Sequence, residues 1–341
     1  MNKQNIFLDN ENFQKELLNN ILSKNICFIT STGHKTRGGF EKYLNLLKSK
    51  DNKINVFYLD RYPELSDIKS LKEDMVNINF IISFGGGSCI DLGKVASIEL
   101  SDSIIPHIAI PTTSGSGAES TSFATFWDIK DQKKLSIEEK KMLPEYVFLN
   151  PEFCVSMPEK LTISTCLDSI SHCIDSILSK NVSKESLSLS KSSLRLVIDN
   201  IENSLKKPTD QKLRGEILKA SNLAGKSINL TKTSLTHSIS YPLTYKYHIP
   251  HGLACGFSLK QVIEKFYTDL NQFIDSDMIY DLISIIDFFE INKFLKSSLH
   301  EIDIEDLYNQ ILKNSRLNNF FTSLSKEDLV NIITSAHKEY S

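Results

Sequence analysis

FIISFGGGSCIDLGKVASI, residues Phe80–Ile98, reads as strand, glycine turn and helix in unbroken succession. Phe80–Ser83 is a short apolar run of the kind a parallel sheet buries on both faces. Gly85, Gly86 and Gly87 let backbone amides approach a ligand without a Cβ between them. Ser88 reads as the N-cap of the helix that follows. A pyrophosphate would sit on those amides and on the helix N-terminus. The string is neither GxGxxG nor a Walker loop, since no GK[ST] follows. Taken alone, it is equally a tight turn that holds nothing.

The pattern repeats on either side. Ile26–Thr30 ends in Ser31-Thr32-Gly33, and Ile54–Leu59 is another apolar run. His107–Ile110 runs into Pro111 and then the loop Thr112-Thr113-Ser114-Gly115-Ser116-Gly117-Ala118. Each run predicts a parallel strand with helix between, so the first half is a doubly wound α/β sheet. Ligands of such sheets lie at the carboxyl ends of the strands. Two small-residue loops after successive strands favour a nucleotide there, with Thr112, Thr113, Ser116 and nearby amides around a phosphate or ribose.

After about Pro158 the β rhythm stops and helical periodicity takes over, at Ser164–Leu178, Lys184–Asn203 and Lys212–Asn229 among others. We therefore expect an α/β dinucleotide-binding domain over residues 1–156 and an all-helical domain over 157–341, with a cleft between. Both glycine loops are assigned to the first domain. The second carries Asp168 and His172, which an i,i+4 spacing puts on one helix face, then His237 and His251. An i,i+4 pair alone is as often a plain surface pair. One carboxylate and three imidazoles together suit a divalent transition metal such as iron, zinc or cobalt. A metal with an open position polarises a carbonyl.

Composition narrows the field. The 341 residues carry 39 Lys and Arg against 42 Asp and Glu, a net charge of −3, so nothing points to nucleic acid. No apolar run is long enough for a membrane span, and Met1-Asn-Lys-Gln-Asn opens no secretory leader, so a cytoplasmic protein is expected. The six cysteines show no CxxC spacing, which argues against a thiolate zinc site and against a disulfide framework.

Read together, these strings resemble the iron-containing (group III) alcohol dehydrogenases. GGGSCIDLGK is similar to that family's GGGSxxDxAK signature, and PTTSGSGAE to its PTTxGTGSE loop. LDSISHCID resembles the helix bearing its first two metal ligands, and HSISYPLTYKYHIPHGLACGF the segment bearing the other two. The resemblance spans roughly Ile26 to Phe257. It implies the dehydroquinate synthase-like fold of that family and metal-dependent, NAD(P)H-linked aldehyde or alcohol chemistry in a homo-oligomer such as a dimer. It implies metal ligation by Asp168, His172, His237 and His251, and cofactor binding by Gly85, Gly86, Gly87, Ser88, Asp91, Lys94, Thr112, Thr113 and Ser116. A non-redox enzyme of the dehydroquinate synthase type is disfavoured, because those use a Glu and two His.

Three positions depart from the family pattern. Tyr241 stands where many members carry a proton-relay His, so Tyr241 or solvent takes that task. Asn150 replaces an Asp at the domain junction. Ser31-Thr32-Gly33, followed by Lys35 and Arg37, stands where an acidic residue selects NAD, and those cations could accept the 2′-phosphate of NADPH. Within the family, HSISYPLT…HGLAC and FATFWD are most similar to the phosphonoacetaldehyde reductases. That implies reduction of phosphonoacetaldehyde to 2-hydroxyethylphosphonate, with lactaldehyde or succinic semialdehyde as alternative substrates. An anionic substrate needs a cation, and Lys232 is expected to supply it, with Lys246 and Lys226 as alternatives.

Overall fold

The computed structural model describes residues 4–128, 133–300 and 302–341. Met1–Lys3, on which the expectation of no leader partly rests, lie outside them. Among the described residues no helix is long and apolar enough to cross a membrane.

The chain divides into two compact units, Met1–Thr113 with Ala118–Val155, and Ser114–Gly117 with Ser156–Ser341. The first unit is built on β1 (Asn5–Phe7), β2 (Asn25–Thr30), β3 (Lys53–Tyr58), β4 (Phe80–Gly85) and β5 (His107–Pro111). The hairpin β6 (Phe123–Asp128) and β7 (Lys133–Glu138) follows, then β8 (Tyr146–Phe148). Six of these form one sheet, order β1-β8-β5-β4-β2-β3, and each adjacent pair is parallel. The four strands expected from the sequence are its centre and one edge. The other edge, β1 and β8, is three residues long in each strand.

Side chains alternate across the sheet as a period of two requires. On β2, Ile26 and Phe28 join an aromatic core with Phe13, Phe40, Tyr43 and Phe84. Cys27 and Ile29 face the other way, onto Leu92 and Val95 of the Gly87–Glu99 helix and Phe126 of the hairpin. The chain runs outward from β2 to β3 and then returns to β4 on the other side of β2. That reversal puts the topological switch point between β2 and β4, where Thr30 is in register with Phe84.

The second unit packs around the helix Glu159–Ile177, which is buried on nearly every side from Thr162 onward. A helix buried on every side lies at the centre of its bundle, and the polar side chains it carries there, Asp168, His172 and Asp175 among them, need buried partners. Around it lie the helices Lys184–Lys206, Gln211–Thr231 and His251–Phe257. All six cysteines are free and buried.

Ser114–Gly117 is a difference from the expected organisation, because it clusters with the helical unit. Ser169 Oγ of the central helix donates to Gly115 O at 3.1 Å. Gly117, at φ +57°, meets Gly225 of the Gln211–Thr231 helix backbone to backbone, and a Cβ on it would stand 2.6 Å from the Gly225 Cα. Close packing on helices therefore accounts for glycine here before any ligand is invoked.

A candidate metal centre and cofactor loop

The helix Glu159–Ile177 aligns three polar residues along one face: Asp168, His172 one turn on, and Asp175 after two turns. His237 enters from the first turn of the helix Leu235–Lys246. His251 opens the helix His251–Phe257, just after Pro250. What brings that last helix close is Gly252. A Cβ there would lie 1.8 Å from Ser164 O, so only glycine lets the two helices touch at this point.

Asp168 is the hub. Its Oδ1 lies 3.4 Å from His237 Nε2, 3.5 Å from His172 Nε2 and 3.8 Å from His251 Nε2. Two donors bound at about 2.1 Å to one tetrahedral ion stand roughly 3.4 Å apart. The spacing is that of ligands around a cation rather than of a closed hydrogen-bond network. His237 Nε2 is buried and makes no hydrogen bond, an orphaned lone pair that needs an explanation. The rings of His172 and His237 stack 4.7 Å apart at 11°.

The electrostatics agree. Burial pushes the Asp168 carboxyl up, but His172, His237 and His251 outweigh it and hold the group well below the usual carboxylate range. Burial likewise lowers His237, yet Cys255, Asp168 and Asp175 raise it well above an ordinary imidazole. A cluster that draws a proton onto a buried imidazole is one that favours a cation. These residues fit a divalent metal.

Two residues at this site have no place in the sequence expectations. Asp175 Oδ2 accepts from His237 Nδ1 at 2.9 Å, which turns Nε2 toward Asp168. The same carboxylate accepts from the amides of Ser234 at 2.7 Å and Thr236 at 2.9 Å. Ser234 is the N-cap of the His237 helix and provides no side-chain cap of its own. Asp175 thus caps that helix from another one and orients its ligand. Cys255 Sγ lies 3.7 Å from Asp168 Oδ1 and 3.8 Å from His251 Nε2. Donor atoms of Asp168, His237, His251 and Cys255 all fall within 4.8 Å of one another. The i+7 step from Asp168 and the i+4 step from His251 were the signals available in the sequence.

Asp168, His172 and His237 are enclosed, while the side chain of His251 is 27% exposed. Tyr241 is half-buried, with its ring 6.1 Å from that of His251 and 6.4 Å from that of His237. His248 is exposed, and Lys246 is paired with Asp306 at 2.8 Å. Lys232 follows the Gln211–Thr231 helix with φ +68° and ψ 168°. That region is essentially reserved for glycine and costs a lysine of order 1–3 kcal/mol.

In the first unit, Gly86 is the N-cap of the Gly87–Glu99 helix, and Gly86, Gly87 and Ser88 are half-buried. Thr113 Oγ1 would stand 3.3 Å from a Cβ on Gly86, so the two loops meet here. Thr112 Oγ1 lies 3.5 Å from His34 Nε2, whose ring packs on Phe84 at 4.5 Å. Ser116 lies with the helical unit, apart from this group.

Lys94 differs from what the resemblance implies. It is fully buried, and its ammonium lies 2.8 Å from Asp91 Oδ1, 2.8 Å from Thr121 Oγ1 and 2.7 Å from Phe123 O. Its ammonium donates to Thr121 Oγ1 and Phe123 O and is paired in charge with Asp91, so it is engaged within the protein rather than turned to a pyrophosphate. Asp91 Oδ2 accepts from Thr125 N at 2.9 Å. The pair anchors the β6–β7 hairpin to the glycine-loop helix. Asn150 caps the turn Pro151–Cys154 by accepting from Glu152 N, so it performs there the cap an Asp would perform.

At the end of β3, Asp60 accepts from Thr32 N at 2.8 Å and Thr32 Oγ1 at 2.5 Å. The Thr32 hydroxyl and amide hold its carboxyl below the usual range. Lys35 Nζ sits 3.8 Å over the Tyr58 ring. The Arg37 side chain lies outside the described residues.

Comparison with known proteins agrees with this architecture. The profile of the iron-containing alcohol dehydrogenases matches residues 9–151, and that of the family's C-terminal region matches residues 162–275. A phosphonoacetaldehyde reductase of Streptomyces viridochromogenes is 28% identical over 211 residues, 55% of this chain and 53% of that protein. A sulfoacetaldehyde reductase of Bilophila wadsworthia is 30% identical over 192 residues, 52% of this chain and 50% of that protein. The chain thus matches about half the length of these curated relatives. The structure of sulfoacetaldehyde reductase from Bifidobacterium kashiwanohense in complex with NAD+ superimposes with a TM-score of 0.87. It covers 99% of this chain and 98% of that one at 22% identity, which speaks to the fold. With profiles matching both halves in order, the chain belongs to the iron-containing alcohol dehydrogenase family.

Proposed function

We propose that the protein is a metal-dependent, NADH-linked reductase of a small anionic aldehyde, with phosphonoacetaldehyde as substrate and 2-hydroxyethylphosphonate as product. The observation that carries the redox reading is the spacing of His172, His237 and His251 around Asp168. Fe²⁺ held there would withdraw charge from a carbonyl oxygen and favour hydride addition at carbon. Asp175, by accepting from Nδ1, leaves Nε2 as the nitrogen of His237 that is aimed inward at Asp168. Tyr241, beside the more accessible ligand His251, passes a proton through its hydroxyl and water to the product oxygen. Gly85–Ser88 take the pyrophosphate on backbone amides, with Thr112 and Thr113 beside them, while Asp91 and Lys94 act by fixing the hairpin.

Support for the anionic substrate comes from two relatives, a phosphonoacetaldehyde and a sulfoacetaldehyde reductase, whose substrates both carry a negative tetrahedral group one methylene away from the aldehyde carbon. In this chain, the strained backbone of Lys232 five residues before His237 supports a role for its ammonium. The Fe²⁺-loaded protein should oxidise NADH with phosphonoacetaldehyde far better than with propionaldehyde. A charge-assisted hydrogen bond is worth about 1.5–3 kcal/mol. Lys232→Met should therefore raise the KM for phosphonoacetaldehyde roughly 10- to 100-fold while leaving propionaldehyde unchanged. Equal turnover of both aldehydes by the unaltered protein would discard the phosphonate while keeping the family.

The preference for NADH rests on Asp60. With the pyrophosphate on the loop after β4, the adenosine ribose of a dinucleotide falls over the neighbouring strand end, here that of β2. Asp60 brings a carboxylate to that place through Thr32, although Ser31 has removed the acid from β2 itself. A 2′-phosphate would meet that charge. By fluorescence titration, Asp60→Asn should tighten NADPH binding on the order of tenfold and leave NADH nearly unchanged. Tighter binding of NADPH than NADH by the unaltered protein would contradict the assignment.

A further inference from the structure

Cys255 differs from Cys166 and Cys173, the other cysteines of the helical unit. Cys166 and Cys173 belong to the apolar core of the helical unit. Cys255 is equally buried, yet it is absent from that core cluster, and its sulfur is turned toward a carboxylate and an imidazole. It lies one helical turn after His251 on the same short helix, so both side chains project from one face. A thiolate at about 2.3 Å and a nitrogen or oxygen at about 2.1 Å around one tetrahedral ion stand roughly 3.6 Å apart. The observed separations are 3.7 Å to Asp168 Oδ1 and 3.8 Å to His251 Nε2. The second observation is His237 Nε2, buried, without a hydrogen bond, and within the same 4.8 Å group.

We propose that Cys255 Sγ is a metal donor in this protein, adding one soft ligand to the carboxylate and imidazoles of the centre. This rests on the metal reading above. Ligation exchanges the thiol proton for a sulfur–metal bond, the proton leaving to solvent or buffer, with no change of oxidation state. A soft donor favours Zn²⁺ and Co²⁺ over harder ions. The bland alternative is a thiol that only donates S–H to Asp168.

Cobalt and zinc distinguish these outcomes without reference to turnover. One equivalent of Co²⁺ added to the metal-free protein should give visible d–d bands together with a near-ultraviolet sulfur-to-cobalt charge-transfer band. Cys255→Ser and Cys255→Ala should keep the d–d bands, lose the charge-transfer band, and bind Zn²⁺ on the order of tenfold more weakly, with less change for Fe²⁺. The unsubstituted zinc protein covers the case in which neither variant folds. X-ray absorption on it should find a sulfur scatterer at about 2.3 Å beside nitrogen and oxygen at about 2.0–2.1 Å. Visible bands without charge transfer, or a zinc shell of nitrogen and oxygen alone, would overturn the proposal and leave the metal centre standing. No stoichiometric metal at all would overturn both.

Discussion

His251→Ala will yield a folded protein that neither retains stoichiometric metal nor turns over an aldehyde. Of the three imidazoles it is the best suited to separate chemistry from folding. His172 and His237 are almost wholly enclosed by the helical unit, and removing either would leave a hole in its centre. The side chain of His251 is 27% exposed and stands at the edge of the cluster. The helix it begins is held through Gly252 against Ser164 and through Leu253, Ala254 and Phe257 in the core. Loss of its nitrogen removes one ligand of the cation, whose stabilisation of developing charge is worth several kcal/mol. At about 1.4 kcal/mol per decade, turnover falls by roughly 10³-fold or more. Metal analysis, circular dichroism and NADH oxidation on one preparation decide the matter. Full activity with metal retained would mean that the cluster around Asp168 is not the reacting centre.

The strand centre of the sheet and the helix carrying Asp168 and His172 were legible in the sequence because local rules govern them. A four- to six-residue apolar run bounded by turn residues and alternating with helical segments is consistent with a parallel strand, and Asp168 with His172 is a same-face pair on any helix. Less local features were not legible. β1 and β8 are three residues each and are strands only because they pair with each other and with β5. The glycines of SGSG look identical whether they cradle a phosphate or press on a helix, and Gly117 is explained by Gly225, more than a hundred residues away. Lys94 reads as a cofactor lysine in the sequence because the sequence shows the charge and not its partners, Asp91 on its own helix and Thr121 and Phe123 at the start of the hairpin. Cys255 was set aside with the other cysteines because CxxC spacing is a rule for thiolate clusters, whereas here the helix turn puts one sulfur among ligands of another kind.

Asp175→Asn tests the part of the site that the ligand pattern hides. The carboxylate does two things: it holds the first turn of the His237 helix through the amides of Ser234 and Thr236, and it fixes the tautomer of His237 through Nδ1. Burial opposes its charge, but His237 and then those amides outweigh burial and hold its pKa below the usual carboxylate value. The carboxylate's contribution to stability is therefore present above about pH 4 and is lost only as the pH falls through that lowered value. Asparagine keeps one acceptor oxygen, at the Oδ1 position that serves Thr236 N, while the Oδ2 position serves both Ser234 N and His237 Nδ1. Its amide nitrogen, a donor, turned to His237 Nδ1 would favour the tautomer with the proton on Nε2, the atom facing Asp168. The expected result is metal affinity weaker by about 10- to 100-fold, with the metal-free protein destabilised less than by alanine because Thr236 N keeps its acceptor. Asp175→Ala orphans the buried amides as well, at about 1–3 kcal/mol each, and should lower the denaturation midpoint of the metal-free protein. If both variants lose stability equally and bind metal equally well once folded, Asp175 is a helix cap alone. If asparagine costs affinity and alanine costs both, one carboxylate serves the fold and the metal together, and the bond from Asp175 to His237 Nδ1 is where the helix bundle sets the donor strength of its own ligand.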